Sequence, residues 1–110
     1  EKALKGVAGK DLRYVTIAYE PIWAIGSKSK GALNPSLVEE MAIFIKRVLS
    51  QLFDAKQASA VRILYGGSVN PDNTAALLEE KNIGGLLVGR ASLNPDAFLA
   101  IIQIAEGSLK

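Results

Sequence analysis

The chain has 110 residues, of which 49% are hydrophobic and 22% are charged, a composition typical of a globular protein that buries a core. Its net charge of +2 is spread along the sequence without a basic run, so nothing indicates nucleic-acid binding. The absence of cysteine and histidine excludes a disulfide framework and leaves no thiolate or imidazole ligand for zinc. No apolar run has the length of a membrane span and no signal-peptide pattern opens the chain, so we expect no membrane association and a cytoplasmic location.

The first predicted strand covers residues 14–19 and follows residues 1–6, which we interpret as the tail of a preceding helix. Glu20 comes directly after this strand, and Pro21 comes next. Proline has no backbone N–H and cannot extend a central strand, so Glu20 is placed at the carboxyl end of the strand. In parallel α/β folds this edge of the sheet holds ligands and catalytic residues.

Three asparagine–proline pairs predict the starts of three helices. Asparagine is a favoured N-cap, and proline is favoured at the first helical position. The pairs are Asn34-Pro35, Asn70-Pro71 and Asn94-Pro95. The first pair precedes an apolar stripe of helical period, formed by Leu37, Val38, Met41, Ala42, Ile45, Val48, Leu49 and Leu52. We expect the second helix to end near Asn82 and Gly84, and the third near Gly107.

Two short apolar runs between these helices predict buried parallel strands. Residues 61–65 end in Gly66-Gly67, and residues 85–88 end in Gly89. Strands that alternate with helices imply a parallel sheet with right-handed crossovers, in a single domain over residues 1–110. The periodicity is compatible with both a barrel segment and an open doubly wound sheet.

The run Ala18-Tyr19-Glu20-Pro21-Ile22-Trp23-Ala24-Ile25-Gly26 closely resembles a signature of the triosephosphate isomerase family. The resemblance implies that Glu20 is the catalytic base, which moves a proton between adjacent carbons of a triose phosphate. Its apolar neighbours would partly desolvate it, and desolvation makes a carboxylate a stronger base. By the same resemblance, a closing lid is formed by Pro21, Ile22, Trp23, Ala24 and Ile25, and Gly26 donates an N–H to phosphate. The plain alternatives are a solvated loop charge and an ordinary loop that holds one core tryptophan.

Two later runs resemble the phosphate-binding loops of the same family. In residues 65–70, the resemblance implies that Ser68 contacts the phosphate and that Tyr65 holds the closed lid. In residues 86–93, Gly89 matches the first of two successive glycines, and Arg90 replaces the second. Arginine is costly there if the position needs a positive φ. If it does not, the guanidinium either adds a phosphate contact or points into solvent.

The resemblance covers essentially the whole chain and implies a part of a (β/α)₈ TIM barrel, from the helix before its sixth strand to its C-terminal helix. A complete barrel needs about 250 residues. The family also uses an electrophilic histidine and a lysine from the N-terminal half, and neither position exists here. The expected function is triosephosphate isomerisation on a small phosphorylated substrate, without cofactor or metal. The expected partner is a second copy or a complementing N-terminal half.

Two alternatives stay open. The chain is either part of the enzyme or a catalytically inactive half-barrel that self-associates and keeps a vestigial phosphate site. Self-association is expected from an uncovered inner face lined by Thr16, Ala18 and Leu87. A general sugar-phosphate-binding domain on an open sheet is the third reading, and it leaves the lid motif unexplained.

Overall fold

The computed structural model describes residues 2–22 and 34–109. Three strands alternate with helices in these residues. The strands are β1 (Thr16–Tyr19), β2 (Arg62–Gly67) and β3 (Gly85–Val88). The α-helices are α1 (Pro35–Leu52), α2 (Ala55–Ser59), α3 (Pro71–Glu79) and α4 (Pro95–Gly107). Short 3₁₀ helices cover Lys2–Leu4, Gly9–Tyr14 and Arg90–Leu93. None of the helices in this described part is long and apolar enough to cross a membrane.

The strands form one parallel sheet in the order β1-β2-β3. Tyr19 of β1 is opposite Tyr65 of β2, and Tyr65 is opposite Leu86 of β3. The carboxyl ends of the strands therefore lie at one edge of the sheet, which we call the rim. This arrangement confirms the predicted fold class, a set of parallel strand–helix units.

All three predicted helix starts are confirmed, and the capping geometry explains them. The side chains of Asn34, Asn70 and Asn94 each accept a hydrogen bond from a backbone N–H in the first turn of the helix that follows. Each bond satisfies a donor that has no partner inside the helix. Proline at the first position needs no such partner. Local side-chain chemistry alone therefore fixes where α1, α3 and α4 begin.

The core lies between one face of the sheet and the helices. One cluster of buried side chains joins the sheet to α1, α3 and α4, and comprises Val38, Tyr65, Val69, Leu77, Ile83 and Ile101. A second cluster packs the 3₁₀ helix Gly9–Tyr14 against α1 and α2, and comprises Leu12, Leu49, Ala58 and Val61. These two clusters hold the helices on a single face of the sheet.

The opposite face of the sheet is uncovered in the described residues. Thr16, Ala18 and Glu20 alternate along β1 and its end, and all three are exposed. Leu87 of β3 is 43% exposed. Arg62 at the start of β2 is exposed as well, at the end of the sheet opposite to the rim. The side chains predicted for an uncovered inner face are therefore exposed to solvent in this chain.

A side-chain clamp joins α1 to the turn before β3. Both carboxylate oxygens of Glu39 accept the backbone N–H of Asn82, at 3.1 and 3.0 Å. The Asn82 side-chain amide donates to Glu39 Oε1 at 2.6 Å. Because Asn82 gives its N–H to Glu39 and not to a helical carbonyl, α3 ends at Glu79, earlier than the predicted end near Asn82 and Gly84.

The structure differs from the sequence predictions at the N-terminal side. The expected helix tail over residues 1–6 is a 3₁₀ helix of three residues, Lys2–Leu4. The first strand begins at Thr16, because the residues before it form a 3₁₀ helix that buries Leu12 completely. Helix α2 was not predicted at all, although Asp54 caps it by accepting the N–H of Gln57 at 2.6 Å.

Candidate functional site

Glu20 lies at the rim, where its side chain rests against Gly66 of the neighbouring strand. By register, the row after Tyr19, Tyr65 and Leu86 consists of Glu20, Gly66 and Leu87. A Cβ on Gly66 would lie 2.7 Å from Glu20 Cγ and 3.3 Å from Glu20 Cδ. Real Cβ atoms do not approach other atoms that closely, so only glycine leaves the space that the Glu20 side chain occupies.

The surroundings of Glu20 correct one expectation. The sequence predicted that apolar neighbours partly desolvate this carboxylate, yet Glu20 is exposed. The uncovered face leaves it open to water, although Pro21 next to it is buried. Ile22, the last described lid residue, is 90% exposed. The other predicted lid and phosphate positions lie outside the described residues, and they are Trp23, Ala24, Ile25 and Gly26.

Ser68 follows β2 at the rim, in a loop that the start of α3 holds in shape. The Ser68 carbonyl accepts the Asn73 side-chain amide at 2.7 Å. Asn73 and Asn70 also exchange hydrogen bonds of 2.9 and 3.0 Å between side chain and backbone, a capping box. Ser68 itself is exposed. Sequence reasoning missed Asn73, although an amide three residues after an asparagine N-cap is a recognisable sign of this box.

Gly89 follows β3 as Ser68 follows β2. Gly67 pairs with Val88 in the last row of the ladder, and Ser68 and Gly89 are the residues directly after that pair. The Gly89 carbonyl accepts the backbone N–H of Ser92 at 2.9 Å, which closes the 3₁₀ turn. Gly89 is exposed, as is Arg90 after it. The rim therefore brings Glu20, Ser68 and Gly89 to the same edge of the sheet.

Arg90 has an ordinary backbone conformation. No non-glycine residue of the described chain has a positive φ. The backbone penalty that was considered for arginine at the second glycine position therefore does not arise.

Tyr65 is 1% exposed, and its hydroxyl makes no hydrogen bond to any residue that the structure describes. Burial raises the pKa of Tyr65 above the ordinary value of 10.0. The nearby Ser68 backbone opposes this rise, and Tyr19 adds to it. A buried hydroxyl is unfavourable unless it is well hydrogen-bonded, and among the described residues only the Ser68 backbone acts on that of Tyr65, so its burial is poorly compensated there.

The Tyr65→Phe variant is expected to be more stable by about 1 kcal/mol at pH 7, since it removes a buried hydroxyl that is poorly compensated among the described residues and keeps the ring. A raised pKa in the folded state favours folding below the unfolded pKa, and stability is lost as pH rises above about 10. The variant should lose less stability there than the parent. Urea unfolding at pH 7 and pH 11 measures both effects, and Tyr14→Phe, at a side chain that is 74% exposed, is the control. An identical pH dependence in parent and Tyr65→Phe would contradict the prediction.

One concave surface of the described residues lies apart from Glu20 and Ser68. A cavity of about 660 Å³ is formed beside β3 and α4, with Leu86, Phe98 and Ile101 in its lining. Glu20 and Ser68 do not line it. Within residues 2–22 and 34–109 no group of three or more acidic side chains is arranged to hold a metal ion. The candidate chemistry of the described chain is therefore the carboxylate and the loop ends at the rim.

Comparison with known proteins agrees with these motifs. The family model described as triosephosphate isomerase matches residues 1–105. A triosephosphate isomerase of Thermus thermophilus is 48% identical over 103 residues, which is 94% of this chain and 40% of that protein. Those of Geotalea uraniireducens and Mycoplasmoides gallisepticum are 44% and 46% identical, with the same coverage. The chain spans about 40% of the length of these relatives.

Proposed function

This chain belongs to the triosephosphate isomerase family, and we propose on that basis that it supplies the proton-transferring carboxylate and part of the phosphate site of a triosephosphate isomerase. The observation that carries the proposal is the rim itself. Glu20 lies over Gly66 there, and Ser68 and Gly89 directly follow the two other strands at the same edge. The substrate of the complete enzyme is then a triose phosphate.

Glu20 acts in this proposal as the general base. A carboxylate can take a proton from the carbon next to a carbonyl and return it to the former carbonyl carbon. Together with transfer of the hydroxyl proton to the former carbonyl oxygen, this interconverts the ketose and the aldose. Gly66 leaves the space in which the Glu20 side chain lies, and the backbone of β1 fixes its origin. Exposure of Glu20 in this chain means that the water-excluding cover has to come from outside the described residues.

Ser68 and Gly89 act as the phosphate ligands. Gly89 has no side chain, and a Cβ placed on it would meet no atom within 4 Å, so an anion can approach its backbone closely. The capping box holds the loop that presents Ser68. Backbone N–H groups and a hydroxyl are suitable donors for phosphate oxygens.

The sequence contains no histidine, so the electrophile with which the family is expected to polarise the substrate carbonyl is missing from this chain. Charge that develops on the substrate oxygen needs a preorganised donor, usually the largest catalytic contribution. We therefore expect no measurable isomerase turnover from the 110-residue chain alone. A chimera that joins the preceding strand–helix units of the Thermus thermophilus relative to this chain is expected to be active.

A coupled isomerase assay tests the proposal on the purified chain, the chimera and the Thermus thermophilus segment alone. The chimera should turn over, and neither part alone should. An inactive chimera that is folded by circular dichroism would contradict the catalytic role. Turnover by the chain alone that Glu20→Gln removes would show that the second catalytic group is dispensable.

The uncovered sheet face favours a second candidate, a self-associating half-barrel. Its exposed apolar residue Ala18 lies between Glu20 at the rim and Arg62 at the opposite end, and the exposed Leu87 lies in the same row as Glu20. Two copies placed face to face with antiparallel strands bring Glu20 of each near Arg62 of its partner. Within residues 2–22 and 34–109, β1 and β3 are the edge strands of the sheet, and exposed strand edges also recruit further chains. The preferred partner in this candidate is a second copy.

Light scattering over a concentration series is expected to show a dimer of the 110-residue chain at high micromolar concentration. Leu87→Glu places a charge on the apolar part of the face and should give a monomer. Leu93→Glu, at a side chain that is 85% exposed and lies off the sheet, is the control and should leave the dimer intact. A stable, cooperatively folded monomer of the parent chain would exclude this candidate.

A further inference from the structure

Arg90 stands where the phosphate-binding loop of the family is expected to have the second of two successive glycines. It follows Gly89 at the end of β3 and begins the 3₁₀ helix Arg90–Leu93. We propose that the Arg90 side chain binds the phosphate group of the ligand directly. The rim then binds a phosphate monoester dianion through a positively charged side chain in addition to uncharged backbone donors. The inference rests on the proposed function, because it assumes the phosphate site of Ser68 and Gly89.

The backbone allows arginine at this position. Its φ is negative, as for every non-glycine residue of the described chain, so the side chain is accommodated without strain. Arg90 is exposed. The side chain therefore adds a charge and costs the loop no conformational energy.

The distribution of charge singles out Arg90. Among the lysines and arginines of residues 2–22 and 34–109, only Arg90 lies within two residues of the carboxyl end of a strand. Arg62, in contrast, begins β2 at the opposite end of the sheet. No acidic side chain in the described part of the chain pairs with Arg90. Its guanidinium is the one cation near the rim there that is available to a ligand.

The Glu20 carboxylate on the same rim explains why a positive charge at Arg90 would help phosphate binding. It lies at the end of β1, two strand spacings or about 10 Å across the sheet from the end of β3. The Glu20 and Arg90 side chains form no ion pair in the described structure. A phosphate dianion bound beside β3 is nevertheless repelled by the Glu20 carboxylate on the same rim. The Arg90 guanidinium offsets that repulsion by attracting the phosphate. It does so without forming an ion pair with the Glu20 carboxylate.

The chemistry of the guanidinium fits a phosphate monoester. Its planar set of N–H donors matches two phosphate oxygens at once, and it stays charged at all working pH values. Lysine would keep the charge but lose the two-point contact. A contact of this kind changes affinity by about tenfold. Removal of the charge should also make phosphate binding less sensitive to salt.

Titration of the 110-residue chain with inorganic phosphate, followed by the amide shifts of Ser68 and Gly89, tests the inference. Arg90→Gln should weaken binding about tenfold and Arg90→Lys by less. Arg47→Gln removes an exposed arginine of α1 and should leave the affinity unchanged. Sodium chloride at matched ionic strength separates phosphate binding from a general salt effect.

The outcomes separate the two proposals. If the parent chain binds and Ser68→Ala weakens binding while Arg90→Gln does not, the inference about Arg90 is wrong and the proposed site stands. If Arg47→Gln weakens binding as much as Arg90→Gln, the effect is one of net charge and the inference is wrong. If high phosphate moves neither amide in the parent chain, both the proposed site and the role of Arg90 are wrong.

Discussion

Glu20→Gln in the chimera with the Thermus thermophilus segment is expected to lower kcat by about 10³-fold, with KM almost unchanged. Glutamine keeps the length and shape of the side chain that lies over Gly66. It has no carboxylate, so it cannot accept the substrate proton. The loss should therefore fall on the chemical step and leave phosphate binding intact. Steady-state kinetics of parent and variant measure both parameters.

The matched control for this variant is Glu40→Gln. Glu40 is an exposed glutamate on α1, away from the strand ends, and its replacement changes net charge by the same amount. We expect parental kinetics from it. A Glu20→Gln chimera that retains more than a tenth of the parental kcat would show that another group removes the proton.

Gly66→Ala in the same chimera is expected to lower kcat by about 10²-fold, because a displaced catalytic group loses its alignment with the substrate. The new Cβ would lie 2.7 Å from Glu20 Cγ, on the central strand of the sheet. Leu87 Cβ is 3.4 Å away on the other side. The flexible Glu20 side chain is the part that can yield, so it should leave the space over Gly66.

Two measurements separate this displacement from a folding defect. Urea unfolding should give Gly66→Ala a midpoint close to that of the parent, because the clash is with a side chain and not with backbone. Gly107→Ala, where a Cβ meets no atom within 4 Å, should leave both stability and kcat near the parental values. Parental kcat in Gly66→Ala would mean that Glu20 does not occupy this space during turnover.

The features predicted correctly are those that short-range chemistry decides. Asn34, Asn70 and Asn94 cap their helices through bonds to residues two or three positions ahead, so a local pattern suffices. Pro21 likewise ends β1 and places Glu20 at the rim by itself. Helix α2 carried a comparable local signal in Asp54. It was missed because its five residues are too few to show a helical period.

The features that could not be predicted from the sequence depend on contacts between residues far apart in the chain. The space over Gly66 exists because Tyr19 pairs with Tyr65, and this register joins residues far apart in the chain. The exposure of Glu20 depends on the absence of cover over one sheet face in the described residues, not on its immediate neighbours. Desolvation was expected from Tyr19, Pro21 and Trp23, and the exposed Glu20 side chain does not show it. The early end of α3 depends on Glu39, which reaches across from another helix.

The Glu39–Asn82 clamp also affects how the chain unfolds. It links positions 43 residues apart, from the first strand–helix unit to the turn that leads into the third. Opening α1 alone would carry the Glu39 carboxylate into water and leave the backbone N–H and side-chain amide of Asn82, which are partly buried, without this acceptor. Local unfolding of the first unit should therefore weaken the turn before the third strand. We expect the chain to unfold as one cooperative unit and not as three separable repeats.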